Sequence, residues 1–318
     1  MIKLTVVYVL TGLMFAAFAV LSALDAKNPK RFGNAAFWGL VALSFLAGDY
    51  LGDLGNGVLV LGLALIAGLG WLGRGQPATT TPEERKALAA RFGEKLFVPA
   101  LTLPVVLLFG ILVLKPLHLA GQPLLDPKQA TLISLALAAV IAVGVALILL
   151  RQPLISPLQE GRRLMDIVGW AALLPQLLAA LGTVFALAGV GKVIGGLVTH
   201  YLPMDTRAAA VAVYCLGMAG FTMIMGNAYA AFPVLTAGVG LPILMHRFGG
   251  NPAAVAAIGM LSGFCGTLMT PLAANFNLVP PALLELTDRY AVIKAQIPTA
   301  LILLVANMVL MYVLAFPH

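Results

Sequence analysis

The feature that most constrains this chain is the recurrence of apolar runs about 20 residues long, the length a helix needs to cross the hydrocarbon core of a bilayer. Residues 129–150, QATLISLALAAVIAVGVALILL, carry no charge at all. Comparable runs occupy residues 2–24, 35–51, 54–72, 96–114 and 291–316. With 61% hydrophobic and 10% charged residues, and a mean hydropathy of +1.01, the chain lies outside the range of soluble domains. The pattern predicts an all-α polytopic membrane protein of about 8–10 transmembrane segments with the lipid bilayer as its solvent.

The net charge of +7 does not imply nucleic acid, because the cations sit in short loops between apolar runs and no basic patch is interleaved with aromatics. Lys27, Lys30 and Arg31 follow the first run, Arg74, Arg85, Lys86, Arg91 and Lys95 the third, and Arg151, Arg162 and Arg163 the fifth. The positive-inside rule places these three segments on the cytoplasmic side and both the N-terminus and the loop around Gln122 outside. A cleaved signal peptide would have a shorter apolar region and a small-residue cleavage motif, so residues 2–24 read as a retained helix.

Between these runs the sequence predicts local detail. Asp49 and Asp53 flank a tight turn between the second and third spans, a surface position for both acids, with a coupling role as the alternative. Thr81-Pro82-Glu83-Glu84 starts a short helix: a capping hydroxyl, Pro at the first position and acids at the positive dipole end. His118 reads as a loop residue, and Cys215 and Cys265 as small packing residues. Residues 151–166 suit a helix lying in the interface. The chain thereby divides into N-terminal helices (1–72), a cytoplasmic loop with a short helix (73–95), scaffold helices with an interfacial arm (96–166), a transport module (167–290) and a final helix (291–318).

The transport module is apolar but broken. Residues 167–203 are too long for one plain helix and predict two half-length helices meeting near Gly182-Thr183 as a re-entrant hairpin, with one tilted span followed by a surface helix from 190 as the alternative. Beyond them come Gly226-Asn227, Pro233, Gly238, Gly240, Pro242, Gly266-Thr267, Thr270-Pro271, Asn275 and Asn277. Whether 208–246 makes two spans or one long broken one stays open, because too few charges flank it. Backbone groups freed by such breaks cost several kcal/mol in hydrocarbon unless protein or a water-filled cavity satisfies them, so broken helices at membrane depth line binding sites. A short echo links Gly217-Met218-Ala219-Gly220-Phe221 to Gly259-Met260-Leu261-Ser262-Gly263-Phe264, each leading into a break. Gly191-x-x-x-Gly195 and Gly259-x-x-x-Gly263 allow helices to approach closely, and Asn307 suits an interhelical hydrogen bond.

No metalloprotease, serine-hydrolase or nucleotide-binding motif is present, and the chain reads as a carrier, not an enzyme. The candidate substrate-binding set is Gln176, Gly182, Thr183, Thr222, Gly226, Asn227, Thr267, Thr270, Asn275 and Asn277. These neutral groups suit coordination: a half-helix N-terminus holds a carboxylate, and the carbonyls ending the preceding half hold Na⁺, here at the breaks near Gly226 and Gly266. No resident cofactor is implied beyond Na⁺ or H⁺ as coupling ion. One such module leaves half a site unlined, which calls for a second membrane subunit. The alternatives are a self-sufficient channel or exporter, and a non-transporting assembly or sensor protein.

LLPQLLAALGTVFALAGVG (173–191), GMAGFTMIMGNAYAAFPVLTAGVGLP (217–242) and TPLAANFN (270–277) resemble the bacterial inner-membrane family catalogued as domain of unknown function 979. The resemblance implies membership of the ion-transporter superfamily, whose members carry carboxylates by an elevator motion using hairpins and broken helices. It also implies a partner membrane protein and 5-oxoproline as substrate, from the family's association with 5-oxoproline-degrading enzymes. Only one hairpin-plus-broken-helix module is found here, where the superfamily has two halves.

Overall fold

The structure is a computed structural model that describes residues 1–73, 81–119, 121–201, 204–284 and 286–316. Arg74 and the rest of the loop up to residue 80 lie outside the described residues. Eight helical stretches among those described are long and apolar enough to cross a membrane, and the chain is an all-α polytopic membrane protein. It divides into two compact units, Met1–Asp166 and Ile167–His318.

In the N-terminal unit, α1 (Leu4–Leu24) packs on α2 (Arg31–Gly68), which is a hairpin of two helices joined at Gly52. Gly52 has φ +61°, open to residues without a Cβ, and Asn56 Nδ2 bridges the freed carbonyls of Gly48 and Gly52, each at 2.9 Å. The fold-back brings Gly62 against Leu40 and the Trp71 carbonyl against Gly33. The second and third spans are therefore separate antiparallel helices, and Asp49 and Asp53 lie exposed at their turn. Phe15 stacks on Trp38 and Phe45 with ring centroids 5.6 and 5.9 Å apart, filling the seam between α1 and α2.

Helix α3 (Pro82–Phe92) starts as its sequence predicts. Thr81 Oγ1 accepts from Glu84 N at 3.2 Å while Glu84 Oε2 accepts from Thr81 N at 2.8 Å, a complete capping box. Next come α4 (Phe97–Phe109), which continues through a wide turn, Gly110–Leu114, and α5 (Ala130–Leu150). Gly110 lets α4 lie directly against Ser134 of α5. The connection carries a two-residue ladder, β1 (His118–Leu119) with β2 (Gln122–Pro123), and His118 is exposed within it. The arm α6 (Ser156–Val168) closes the unit.

The ends of this unit match the charge reading. Lys30 Nζ donates to the Gly70 carbonyl at 2.6 Å, Asn34 Nδ2 to that of Gly73 at 2.7 Å, and Arg162 pairs with Asp25 at 3.0 Å. The segments after α1, after α2 and along α6 thus share one end. At the other, Ile2 N donates to the Leu124 carbonyl at 2.7 Å, which places the N-terminus beside the loop containing Gln122.

The second unit opens with α7 (Leu174–Leu187) and α8 (Val190–Tyr201), two half-length helices. Their turn is at Ala188-Gly189, not near Gly182-Thr183 as the sequence suggested. Gly189 has φ +71° and makes the turn, whereas Gly182 is helical, and a Cβ there would come within 2.8 Å of Ala230 Cα. Glycine at 182 serves close packing, and composition alone does not distinguish that use from a break.

Then α9 (Arg207–Met225) ends at Gly226, and α10 (Ala228–Leu235) folds back along it, continued by wide π-type turns over Thr236–Arg247. Tyr214 and Thr236 hydroxyls meet at 2.9 Å across that fold-back, which settles 208–246 as two helices. α11 (Pro252–Leu268) runs parallel to α9: Gly259 faces Tyr214, Gly263 faces Met218, and Gly266 faces the Ala219 carbonyl. Short helices α12 (Ala274–Asn277) and α13 (Val279–Leu283) lead to α14 (Ala291–Leu314). Asn307 donates to Cys265 Sγ at 3.6 Å and Cys215 Sγ meets Met311 Sδ at 3.9 Å, so both thiols are packing groups between helices. Buried Val211, Tyr214, Met218, Val239, Val255 and Met311 form the centre of this core.

Candidate functional site

The site arises where two parallel helices stop at the same level. At the end of α9, Gly226 takes φ +73° and returns its N–H to the Thr222 carbonyl at 2.7 Å. Asn227 is extended, and its Oδ1 accepts from Tyr229 N at 2.8 Å, capping α10. Beside it α11 ends at Leu268, after which Met269, Thr270 and Pro271 carry the chain toward α12.

Side chains beyond the end of α11 tie off both helix ends. Thr270 Oγ1 donates to the Met223 carbonyl at 2.8 Å, one of the last four acceptors of α9, and accepts from Leu272 N at 3.2 Å. Asn277 Nδ2 donates to the carbonyls of Thr267 and Thr270 at 2.8 and 2.7 Å, tying off the end of α11. The Leu272 backbone closes over Gly226, where a Cβ would sit 2.7 Å from the Leu272 carbonyl oxygen.

Two polar atoms remain over. Thr222 Oγ1 and Asn277 Oδ1 belong to residues 0% exposed, and neither has a hydrogen-bond partner among the described residues. A buried polar atom left alone costs about 1–3 kcal/mol, so two at one pair of helix ends are a cost that structure alone does not need. Both offer oxygen lone pairs, the donor type of water and of hard cations.

The family model described as "Protein of unknown function (DUF979)" matches residues 5–316. The chain belongs to this family. No curated protein and no solved structure matches the chain.

In this DUF979 protein the ten sequence-derived site residues separate into two groups. Thr222, Gly226, Thr267, Thr270 and Asn277 converge on the paired breaks, with Asn227 capping the helix that leaves them. Asn227 Nδ2 has no partner among the described residues, so the side chain caps with one atom and keeps a donor free. Asn275, half-buried on α12, forms no hydrogen bond with another described residue. Gln176 and Thr183 are exposed on α7, and Gly182 packs against Ala230.

The break expected near Gly266 lies at Met269-Thr270. Gly266 is helical and lets α11 touch the Ala219 carbonyl of α9. Helices α7 and α8 follow α10 and its continuation in one direction, Gly182 lying against Ala230, Gly191 against the Val234 carbonyl and Gly195 against that of Gly238, so they do not fold back on each other as the expected re-entrant hairpin would. Sequence reading missed the Met223 and Leu272 carbonyls, since a backbone acceptor carries no residue signature. It also missed Asp166, Asn34 and Trp38, which bond one another inside the N-terminal unit. The four-residue spacing of Arg162 and Asp166 on an amphipathic helix was the available signal.

Proposed function

We propose that this DUF979 protein is one subunit of a secondary transporter in a bacterial inner membrane. It carries a small carboxylate, 5-oxoproline, with Na⁺ or H⁺ as coupling ion, and works with a second membrane subunit. The observation that carries this reading is the pair of buried, unpartnered oxygens, Thr222 Oγ1 and Asn277 Oδ1, at two parallel helices that break at one level. Broken helices of this kind at membrane depth bind ligands in transporters.

The division of labour derives from the donor set. Asn227 Nδ2 and the first turn of α10 present N–H groups and a positive dipole end, which suit a carboxylate without any arginine. Thr222 and Asn277 present oxygen to a cation or a water molecule. A lactam acid such as 5-oxoproline adds one amide donor and one amide acceptor, and neutral Asn and Thr side chains match both. The described groups at the breaks are neutral hydroxyls, amides and backbone groups, which suit holding a ligand.

The superfamily resemblance supplies the substrate and the partner, and uptake tests both. Cells expressing this chain together with the partner membrane protein that the resemblance implies should accumulate labelled 5-oxoproline, and cells expressing either alone should not. Uptake by the purified chain alone in proteoliposomes would remove the partner. No uptake in any combination, with no ligand-induced thermal stabilisation, would remove the substrate.

A further inference from the structure

Helix α6 brings two charged side chains into the interior of the N-terminal unit, and only one is paired. Arg162, 5% exposed, gives Nη1 to Asp25 Oδ2 at 3.0 Å and to the Leu21 carbonyl at 3.3 Å. Asp166, one turn later and 8% exposed, forms no ion pair with a described residue. Its Oδ1 accepts from Asn34 Nδ2 and from Trp38 Nε1, both at 2.9 Å. Its Oδ2 is buried with no partner, as is Arg162 Nε.

One guanidinium therefore meets two carboxylates, its charge is taken by Asp25, and Asp166 is left over. An unpaired buried carboxylate relieves its desolvation by taking a proton. The hydrogen bonds at Asp166 are arranged so that it can: a proton on Oδ2 leaves Oδ1 a carbonyl oxygen that still accepts from Asn34 and Trp38. The charged groups around it are Arg162 on its own helix and Asp25 at the end of α1. From α2 it meets the neutral Asn34 and Trp38, while Lys30 is engaged with the Gly70 carbonyl and Arg31 lies over the Phe32 ring.

We propose that Asp166 is a proton-binding site whose occupancy sets how tightly α6 is held to the α1–α2 helices. Ionised, Asp166 holds Asn34 and Trp38 by charge-assisted bonds; protonated, it holds them by ordinary ones. Asn34 Oδ1 accepts from Gly73 N at 2.8 Å, so the same step reaches the segment after α2. Asp166 is also the last residue of its unit, joined directly to the first of the next. This site is separate from the helix breaks and does not depend on the transport reading.

Trp38 reports on the step. In the full-length chain carrying Trp71→Phe and Trp170→Phe, Trp38 is the sole tryptophan, and its emission is tracked between about pH 4 and 9. The expected result is a single one-proton transition that Asp166→Asn abolishes, leaving emission fixed near the low-pH value. Asp25→Asn frees Arg162 to turn toward Asp166 and should move the transition down by about one pH unit. No transition in the parent overturns the proposal, and so does an unchanged transition in Asp166→Asn. Should Asp166→Asn fail to fold, Asp25→Asn decides: a transition that does not move down overturns the proposal.

Discussion

Thr270 donates its hydroxyl to the carbonyl of Met223 across 2.8 Å, so the loop that ends α11 caps the end of α9. The two breaks are for that reason one structural unit, the second holding a backbone carbonyl that the first exposes. Removing the hydroxyl while keeping the shape should uncouple them. Thr270→Val leaves the Met223 carbonyl and Leu272 N–H without their partner, a loss of about 1–3 kcal/mol. Its melting temperature in detergent should fall clearly below wild type, and Thr270→Ser should recover most of the difference. Equal melting of the Val and Ser variants would show that the bond contributes nothing.

Gly226 and Gly189 share a left-handed backbone, at φ +73° and +71°, but differ in their surroundings. A Cβ at Gly226 meets the Leu272 carbonyl at 2.7 Å, and one at Gly189 meets nothing within 4 Å. Alanine at Gly189 should cost only the backbone strain, about 1–2 kcal/mol. Alanine at Gly226 adds a backbone clash that must part the two breaks, so it should lower the melting temperature more and weaken ligand binding as well. The comparison fails if the two variants melt together.

The shared ends of the N-terminal unit give a topology prediction. Reporters fused after Arg31, Arg85 or Arg163 should behave as cytoplasmic, and one near Gln122 as external. The contact of Ile2 with Leu124 assigns the N-terminus to the Gln122 side. Equal labelling of cysteines at Lys30 and Gln122 by an impermeant thiol reagent would contradict this arrangement.

The features legible in the sequence and those hidden from it differ by physical cause. Helix α3 was legible to the residue because a capping box is local chemistry between Thr81 and Glu84. The break at Gly226-Asn227 was legible because Gly frees the backbone and Asn caps the next helix, α10. Gly182 and Gly266 carried the same letter with a different meaning: their role is set by Ala230 and the Ala219 carbonyl, which are distant in the chain. Gln176 and Thr183 joined the candidate set by composition, yet the helical phase of α7 leaves both exposed. The pairing of Arg162 with Asp25, 137 residues away, was not legible, because loop charge statistics treat every arginine as exposed.

Asn227 decides whether the breaks bind a carboxylate. Its Oδ1 is committed to Tyr229 N at 2.8 Å, and its Nδ2 is the atom left to donate. Asn227→Asp keeps the capping oxygen, since Asp caps as well as Asn, and replaces the free donor by a second acceptor bearing negative charge. Folding should survive, with melting close to wild type. Carboxylate affinity should fall about tenfold, because like charges brought within contact at a half-buried helix end cost on the order of 1.4 kcal/mol. Asn251→Asp is the matched control: Asn251 caps α11 in the same way, accepting from Ala253 N at 2.9 Å, but at the opposite end of that helix and exposed. Substrate-induced thermal stabilisation and uptake, measured for both variants, separate the roles. Loss in Asn227→Asp alone places the carboxylate against the α10 N-terminus, whereas wild-type uptake in both makes Asn227 a cap and nothing more.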